Sequence, residues 1–389
     1  MANLLCGDMV KTLRTIPDRT FDAVICDPPY ELGFMNRGWD SSGVAFNPRT
    51  WREARRVAKP GAWMAAFGGS RTWHRIACAI EDGGWEIRDS MIWWYASGFP
   101  KSTDVGAQMD ASVGAVRTDR VVSEEMDNQI MQPTRTVIFA GTPVTAAAKK
   151  WDGWGTALKP AFEPIILARK PIDLTVAANV KKYGTGAINI KASRVGDEEH
   201  YNPPAGTSRG ASFALFSGKG SKAGFAGTVA KGYWPPNMIF SHAPACTPEG
   251  GCAKGCPTLG IDKKHRGIFP AFYAPKASRE ERERGCEDLP AKRVNDAIPE
   301  GASYATNPRA GVQGERHNHH PTVKPVSVMA WISKLLTQPG GHILDPFMGS
   351  GTTGIAAAQE GFEFTGIDLD PAHVEIAKAR IAAAVRKEE

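Results

Sequence analysis

The stretch that most constrains the fold is the last strand–loop–helix–strand–helix unit of the chain. His342-Ile343-Leu344 is a short apolar strand that runs into Asp345-Pro346-Phe347-Met348-Gly349-Ser350-Gly351-Thr352-Thr353. A helix is expected from Thr352 through Ile355, Ala356, Ala357 and Ala358, stopped by Gly361. Residues 362–368 read as a second strand. Pro371 opens a final helix with Val374, Ile376, Ala377 and Ile381 at helical spacing. This is the start of a doubly wound sheet, which is buried on both faces. Two parallel strands are too few to bury two faces, so the missing strands must come from elsewhere in the chain.

The N-terminal region supplies them. Strands are expected at 21–26, 62–67 and 85–95, with helices at 48–57 and 71–80 between them. The expected class is therefore α/β: a doubly wound, mostly parallel, Rossmann-like sheet formed from both chain ends, 1–97 and 319–389. Residues 98–318 form a large, irregular, loop-rich insert. Its run 206–232 carries seven glycines together with Arg209, Lys219, Lys222 and Lys231, a composition suited to a loop ordered on a partner. Between 149 and 194, nine Lys and Arg stand against three acids.

Charge and cysteine usage bound the partners. A net charge of +6 and a pI near 8.9 permit a polyanionic partner without requiring one. Seven cysteines, an odd number, fit a reducing cytoplasm better than a disulfide framework. No apolar run approaches the roughly 20 residues of a membrane span. The opening Met1-Ala2-Asn3-Leu4-Leu5-Cys6 lacks the basic start of a secretory signal. The expected place is the cytoplasm of a bacterium or of a phage-infected host cell. Oligomeric state is left open between monomer and homodimer.

Two motifs carry the chemistry. In the first, the glycine turn at 349–354 lets backbone approach a ligand closely, and Asp368 after the next strand is placed to bond ribose hydroxyls. A plain tight turn and a nicotinamide site are the competing readings, and the Asp345-Pro346-Phe347 lead-in speaks against the latter. In the second, Asp27-Pro28-Pro29-Tyr30 closes the apolar run 21–26. An aromatic amino group is a weak nucleophile because its lone pair is delocalised. Two acceptors aimed at its hydrogens, the Asp27 carboxylate and the Pro28 carbonyl, would pull the nitrogen towards a tetrahedral shape. Pro29 removes a competing donor and stiffens the turn, and Tyr30 offers a face for a base. A simple strand-ending turn is the alternative.

With these motifs in this order, the chain resembles S-adenosylmethionine-dependent DNA amino methyltransferases of the permuted β arrangement. It is especially similar to those of phages and prophages, which share runs like Gly33-Phe34-Met35, Trp154-Gly155-Thr156-Ala157-Leu158-Lys159-Pro160 and Phe272-Tyr273-Ala274-Pro275-Lys276-Ala277-Ser278. The resemblance covers about 1–100 and 318–387 well and the middle loosely. It implies methyl transfer to the N6 amino group of adenine in a specific sequence of double-stranded DNA, as in restriction-modification systems. Asp27, Pro28, Pro29 and Tyr30 would then bind the flipped base. Asp345, Phe347, Gly349, Ser350, Gly351 and Thr352 would surround the cofactor and Asp368 its ribose. Lys324, in His320-Pro321-Thr322-Val323-Lys324-Pro325, would lie near the cofactor, and Gly7-Asp8 by its adenine. Asp as the first motif residue goes with adenine in this family and Ser with cytosine. Cytosine-N4 methylation is the alternative, and a non-catalytic DNA-binding protein on the same fold a remoter one.

Four further features stand apart. His242, Cys246, Cys252 and Cys256 could close a tetrahedral structural zinc site within 242–256, or be free thiols of a loop. His317-Asn318-His319-His320 reads as a surface turn rather than a metal site. The Arg and Glu residues of 278–284 read as a solvated helix face, with a DNA face as the alternative. Trp93-Trp94-Tyr95 reads equally as a half-buried strand end or as a stacking platform.

Overall fold

The computed structural model describes residues 2–32, 38–95, 102–117, 122–127, 132–138, 141–202, 228–243, 246–247, 251–253, 256, 258, 269–273, 277–293 and 315–386. The run 33–35 and most of the glycine-rich run 206–232 lie outside the described residues. Nine strands form the main sheet: β1 (Ala2–Cys6), β2 (Phe21–Cys26), β3 (Ala58–Phe67), β4 (Glu86–Trp94), β5 (Phe162–Arg169), β6 (Met238–Ser241), β7 (Ala271–Phe272), β8 (His342–Asp345) and β9 (Glu363–Asp368). Their spatial order is β1-β9-β8-β2-β3-β5-β4-β6-β7. The principal helices are α1 (Met9–Arg14), α2 (Pro48–Val57), α3 (Trp73–Asp82), α4 (Val326–Leu336), α5 (Thr352–Gln359) and α6 (Pro371–Val385).

Both chain ends build one sheet, as the terminal unit requires. β8 pairs in parallel with β2, Ile343 opposite Ala23 and Leu344 opposite Val24. β9 pairs in parallel with β8 on one side and β1 on the other. Successive residues of the central strands alternate between two cores. Ala23 and Ile25 of β2, Trp63 and Ala65 of β3, and Ile343 of β8 meet the apolar faces of α4, α5 and α6. Val24 and Cys26, Met64 and Ala66, and Leu344 meet α1, α2 and α3 on the opposite face. An aliphatic side chain buried this fully contributes about 1.5–3 kcal/mol.

The helix ends follow local rules. Asn47 caps α2, its side chain accepting from the Arg49 amide at 3.0 Å with Pro48 at the first position. Asp370 caps α6 in the same way through Ala372, ahead of Pro371.

One expectation needs correction. Residues 98–318 do not lie wholly outside the sheet. β5 runs antiparallel between β3 and β4, with Leu167 opposite both Ala65 and Asp89. Its Ile165 and Leu167 enter one core and its Ile166 and Ala168 the other. β6 and β7 extend the sheet beyond β4. The physical reason is that β3 and β4 are both parallel-type strands, and the gap between them is closed by β5 from the middle of the chain. None of the seven cysteines forms a disulfide. Among the described residues, no helix is long and apolar enough to cross a membrane.

Candidate active site

Ligands of doubly wound sheets bind beyond the carboxyl ends of the strands. β2 delivers Asp27 there as the first residue past its end, and its parallel neighbour β8 delivers Asp345. β9 delivers Asp368, whose carbonyl accepts from the Gly7 amide beyond β1 at 2.9 Å. The two motifs from opposite ends of the chain thus meet on adjacent strands.

At the first motif, the Lys324 ammonium bonds Asp27 Oδ2 and stands 3.4 Å from Glu163 Oε2. Tyr30 donates its hydroxyl to Glu163 Oε2 at 2.9 Å, and Tyr95 donates to Oε1 at 3.3 Å. The ammonium also lies 5.0 Å from the Phe67 ring centroid and 5.4 Å from that of Tyr30, within cation–π reach. With both carboxylates ionised, this group carries one net negative charge. Burial pushes the Asp27 carboxyl up from its usual range against the pull of Lys324, and Glu163 adds to the rise. Burial pulls the Lys324 ammonium down, but its two carboxylates outweigh that and hold it above its usual value. Burial, with the same two carboxylates, pushes Tyr30 well up, so its hydroxyl stays a donor.

Asp27 Oδ1 is enclosed and has no partner of good hydrogen-bond geometry among the described residues, although the Tyr30 hydroxyl, turned to Glu163, lies close enough to help hold the Asp27 carboxyl down. A buried acceptor left open costs about 1–3 kcal/mol, a cost that an incoming N–H donor removes. The turn is held from behind by Glu31, which sits in left-handed backbone at φ 54. Its carboxylate accepts from the Gly43 amide at 2.8 Å and the Ala45 amide at 3.2 Å. Such a conformation costs a non-glycine residue on the order of 1 kcal/mol, and these bonds offset it.

At the second motif, Asp345 holds the loop rather than facing outward. Its carboxylate accepts from the Phe347 amide at 3.0 Å and the Thr353 hydroxyl at 2.5 Å. Burial pushes this carboxyl up to about 7. Gly349 at φ 53 and Gly351 at φ 81 make the turn. A Cβ on Gly349 would stand 2.7 Å from His320 Nε2, and one on Gly351 2.8 Å from Ala377 Cβ. Ser350 and Thr352 turn inward onto the buried Arg380, whose Nη1 meets the Ser350 carbonyl at 2.6 Å, the Ser350 hydroxyl at 3.1 Å and the Thr352 hydroxyl at 3.3 Å. Both hydroxyls thus help to hold the loop.

Asp368 accepts from the Gly349 amide at 2.8 Å through Oδ2 and from the Asp370 amide at 2.9 Å through Oδ1. His373 Nδ1 lies 3.3 Å from the same Oδ1. Burial would raise this carboxyl, but the His373 and Asp370 contacts hold it below its usual range. Asp8 accepts from the Lys11 amide at 2.9 Å and caps α1. The Phe347 ring packs tilted at 6.1 Å from Trp51.

The resemblance sets Lys324 near the cofactor; in the structure its ammonium bonds Asp27. His320, earlier in the same segment, is the residue that touches Gly349. The His317–His320 run is only in part a surface turn: Asn318 is buried and the three histidines are half-buried. His320 Nδ1 meets the Thr322 carbonyl at 2.5 Å, and its ring lies edge-on to His373 at 4.5 Å. Burial pulls His320 down to about 3, so it stays neutral at physiological pH. In 278–284, Arg282 is not solvated throughout: it donates to the His320 carbonyl at 2.6 Å. Trp93 and Tyr95 are core residues on the pocket side, with the Trp93 indole bonded to the Ser241 hydroxyl at 2.9 Å.

Glu163 and Glu31 were not expected at the site, and Tyr95 was expected there only as one reading of the aromatic run 93–95. The signal for Glu163 was an acid at the mouth of the apolar run 164–168. Away from this pocket, beyond the end of β6, His242, Cys246, Cys252 and Cys256 bring their ligand atoms within 4.8 Å of one another.

The sequence profile of a DNA methylase family matches residues 21–379. The Type II methyltransferase M2.DpnII of Streptococcus pneumoniae is 45% identical over 64 residues, 16% of this chain and 24% of that protein. YubD of Escherichia coli (strain K12), whose methylase name is provisional, is 33% identical over 122 residues, 31% of this chain and 51% of that protein. The chain thus spans about half or less of the length of these curated relatives. Among solved structures, the PvuII DNA methyltransferase, titled cytosine-N4-specific, aligns over 99% of this chain and 92% of that one, at 12% identity and a TM-score of 0.43.

Proposed function

The chain belongs to the DNA methylase family, and from that premise we propose that it transfers a methyl group from S-adenosylmethionine to the N6 amino group of adenine in double-stranded DNA. The observation that carries this reading is the enclosed, open oxygen of Asp27, set on the strand next to the one that bears the glycine loop. An amino-group donor is what that oxygen lacks.

The residues fit the cofactor. Gly349 and Gly351 leave a side-chain-free cradle, and Asp368 and Asp8, at the ends of the paired strands β9 and β1, would offer carboxylates to hydroxyl and amino donors. Phe347 supplies an apolar wall. Bound there, S-adenosylmethionine would supply a methyl group already activated by its positive sulfur.

The rest is done by side chains and backbone of this chain. Asp27 Oδ1 and the Pro28 carbonyl accept from the exocyclic amino group and localise its lone pair. Tyr30 gives the base a face, and its hydroxyl is fixed by Glu163. Lys324 fixes Asp27 through the other oxygen, so Oδ1 stays aimed at the amine. As the nitrogen becomes positive, the negative charge shared by Asp27 and Glu163 stabilises it. The surplus proton leaves to Asp27, whose raised pKa makes it a better acceptor, or to water.

The exposed Trp154 (60%) and Leu158 (92%) lie on the loop that leads into β5 and Glu163, with Lys149, Lys150 and Lys159 nearby. Lysines that neutralise phosphates beside a wedge of this kind suit extrusion of a base from a duplex. What favours adenine over cytosine-N4 is the family resemblance, in which Asp rather than Ser at the position of Asp27 goes with adenine. Incubation with DNA and cofactor, followed by digestion to nucleosides and mass spectrometry, tests the reading. N6-methyladenine is expected; N4-methylcytosine alone would move the target to cytosine, and no modified nucleoside would overturn the proposal.

A further inference from the structure

We propose that His242, Cys246, Cys252 and Cys256 hold one zinc ion whose role is structural. Ligand atoms around a tetrahedral zinc, with Zn–S near 2.3 Å and Zn–N near 2.0 Å, stand about 3.5–3.8 Å apart. His242 Nδ1 lies 3.1 Å from Cys252 Sγ and 3.7 Å from Cys256 Sγ. The whole set falls within 4.8 Å, so a central ion needs only a small adjustment of the fourth ligand.

Independent features point the same way. Next to two of the ligands, Thr247 and Gly251 exchange backbone hydrogen bonds of 2.9 and 3.3 Å, and Gly251 takes φ 71. Two backbone amides point at the sulfurs, Ala243 at Cys256 Sγ (3.4 Å) and Ala253 at Cys246 Sγ (3.2 Å). N–H donors of this kind stabilise thiolate charge, which a metal-bound cysteine carries and a core cysteine does not. The imidazole is held in plane by Tyr273, stacked at 4.1 Å and 3°. The His242 amide is tied to the Phe272 carbonyl at 2.9 Å. Cys246 and Cys256 are buried.

Four protein ligands leave no open position, so the ion does not act on substrate. Its effect is reached through β6. Ser241, next to His242, accepts from the Trp93 indole and offers its carbonyl to Thr258 at 3.0 Å. Trp93 packs 5.1 Å from Tyr95, which bonds Glu163. The ion thus anchors the sheet edge that backs the base pocket, while the cofactor loop lies several strands away on β8 and β9.

The test uses the full chain purified without chelator. Elemental analysis should find about one zinc per chain, and cobalt exchange should give the intense visible bands of a tetrahedral thiolate site. In the native protein, a mercurial should release that zinc to a chromophoric indicator as the thiols react, and a thiol count after denaturation should return seven. Cys246→Ser with Cys252→Ser should lose the metal, whereas Cys78→Ser, an exposed thiol elsewhere, should keep it. Chelation should lower the melting temperature by about 5 °C or more and leave cofactor affinity within about threefold. Because the wild-type measurements need no variant, a double variant that fails to fold leaves the test intact. Zinc well below one per chain, metal retained in a folded double variant, or fewer than seven thiols, which would indicate a disulfide, overturns the proposal. These readouts are independent of methylation, so they stand or fall separately from the proposed activity.

Discussion

Glu163 Oε2 stands 3.4 Å from the Lys324 ammonium, the same ammonium that bonds Asp27, so one cation serves two carboxylates. In the proposed reaction Glu163 would be a positioning residue. Its negative charge raises the Asp27 carboxyl, and its oxygens fix Tyr30 and Tyr95.

Glu163→Gln keeps an acceptor for Tyr30 but removes the charge. Without it, Lys324 is drawn wholly to Asp27 and the Asp27 carboxyl falls. The acidic limb of the kcat/KM profile should move to lower pH, and kcat should drop roughly 10- to 100-fold. pH–rate measurements on both proteins check this. An acidic limb that stays in place with full kcat would remove Glu163 from the site's electrostatics.

Asp27→Ala removes both the open acceptor and the partner of Lys324. Turnover should fall by at least about a thousandfold, while cofactor affinity, read by calorimetry, stays within a few-fold. Substantial methylation by this variant would refute the role given to Asp27.

Asp368→Ala strips the acceptor from the Gly349 and Asp370 amides and loosens the glycine loop. Cofactor binding should weaken about tenfold or more. Asp368→Asn, which keeps one acceptor oxygen, should fall in between. An unchanged dissociation constant in the alanine variant would argue against Asp368 as a cofactor residue.

The buried Asp345 gives stability a pH dependence. Its carboxyl is raised to about 7 in the folded chain against about 4 unfolded. The folded state therefore holds the proton more tightly, and this contribution is present below pH 4 and lost as pH rises to 7. A shift of that size corresponds to on the order of 4 kcal/mol. Asp345→Asn, which can still accept from Phe347 and donate to Thr353, should flatten the fall in stability between pH 4 and 7. Denaturant melts across that range test it, and an identical slope in the variant would show that Asp345 is not its source.

The framework was legible because continuous apolar runs such as 21–26 leave a chain few choices. Every residue of β2 is buried, alternately on two faces. The two motifs were legible because glycines and prolines mark strand ends whatever surrounds them. β5 was not, although Ile165-Ile166-Leu167-Ala168 has the same signature. It sits in a lysine-rich stretch, and nothing local says that a strand will enter a sheet antiparallel between two distant ones. Glu163 was hidden for the same reason, since an acid acquires its role only from the Lys324 that the fold sets beside it. His320 was misread because polar residues in a loop suggest solvent. Its burial comes from Gly349 and His373, which are remote in sequence.

The placement of β5 also limits how such a chain can be rebuilt. The part between β4 and α4 cannot be exchanged as one cassette, because Phe162–Arg169 would leave with it and open the centre of the sheet. Chimeras in this region would have to swap the flanks on either side of that strand as two separate modules, with the strand itself kept as common chassis.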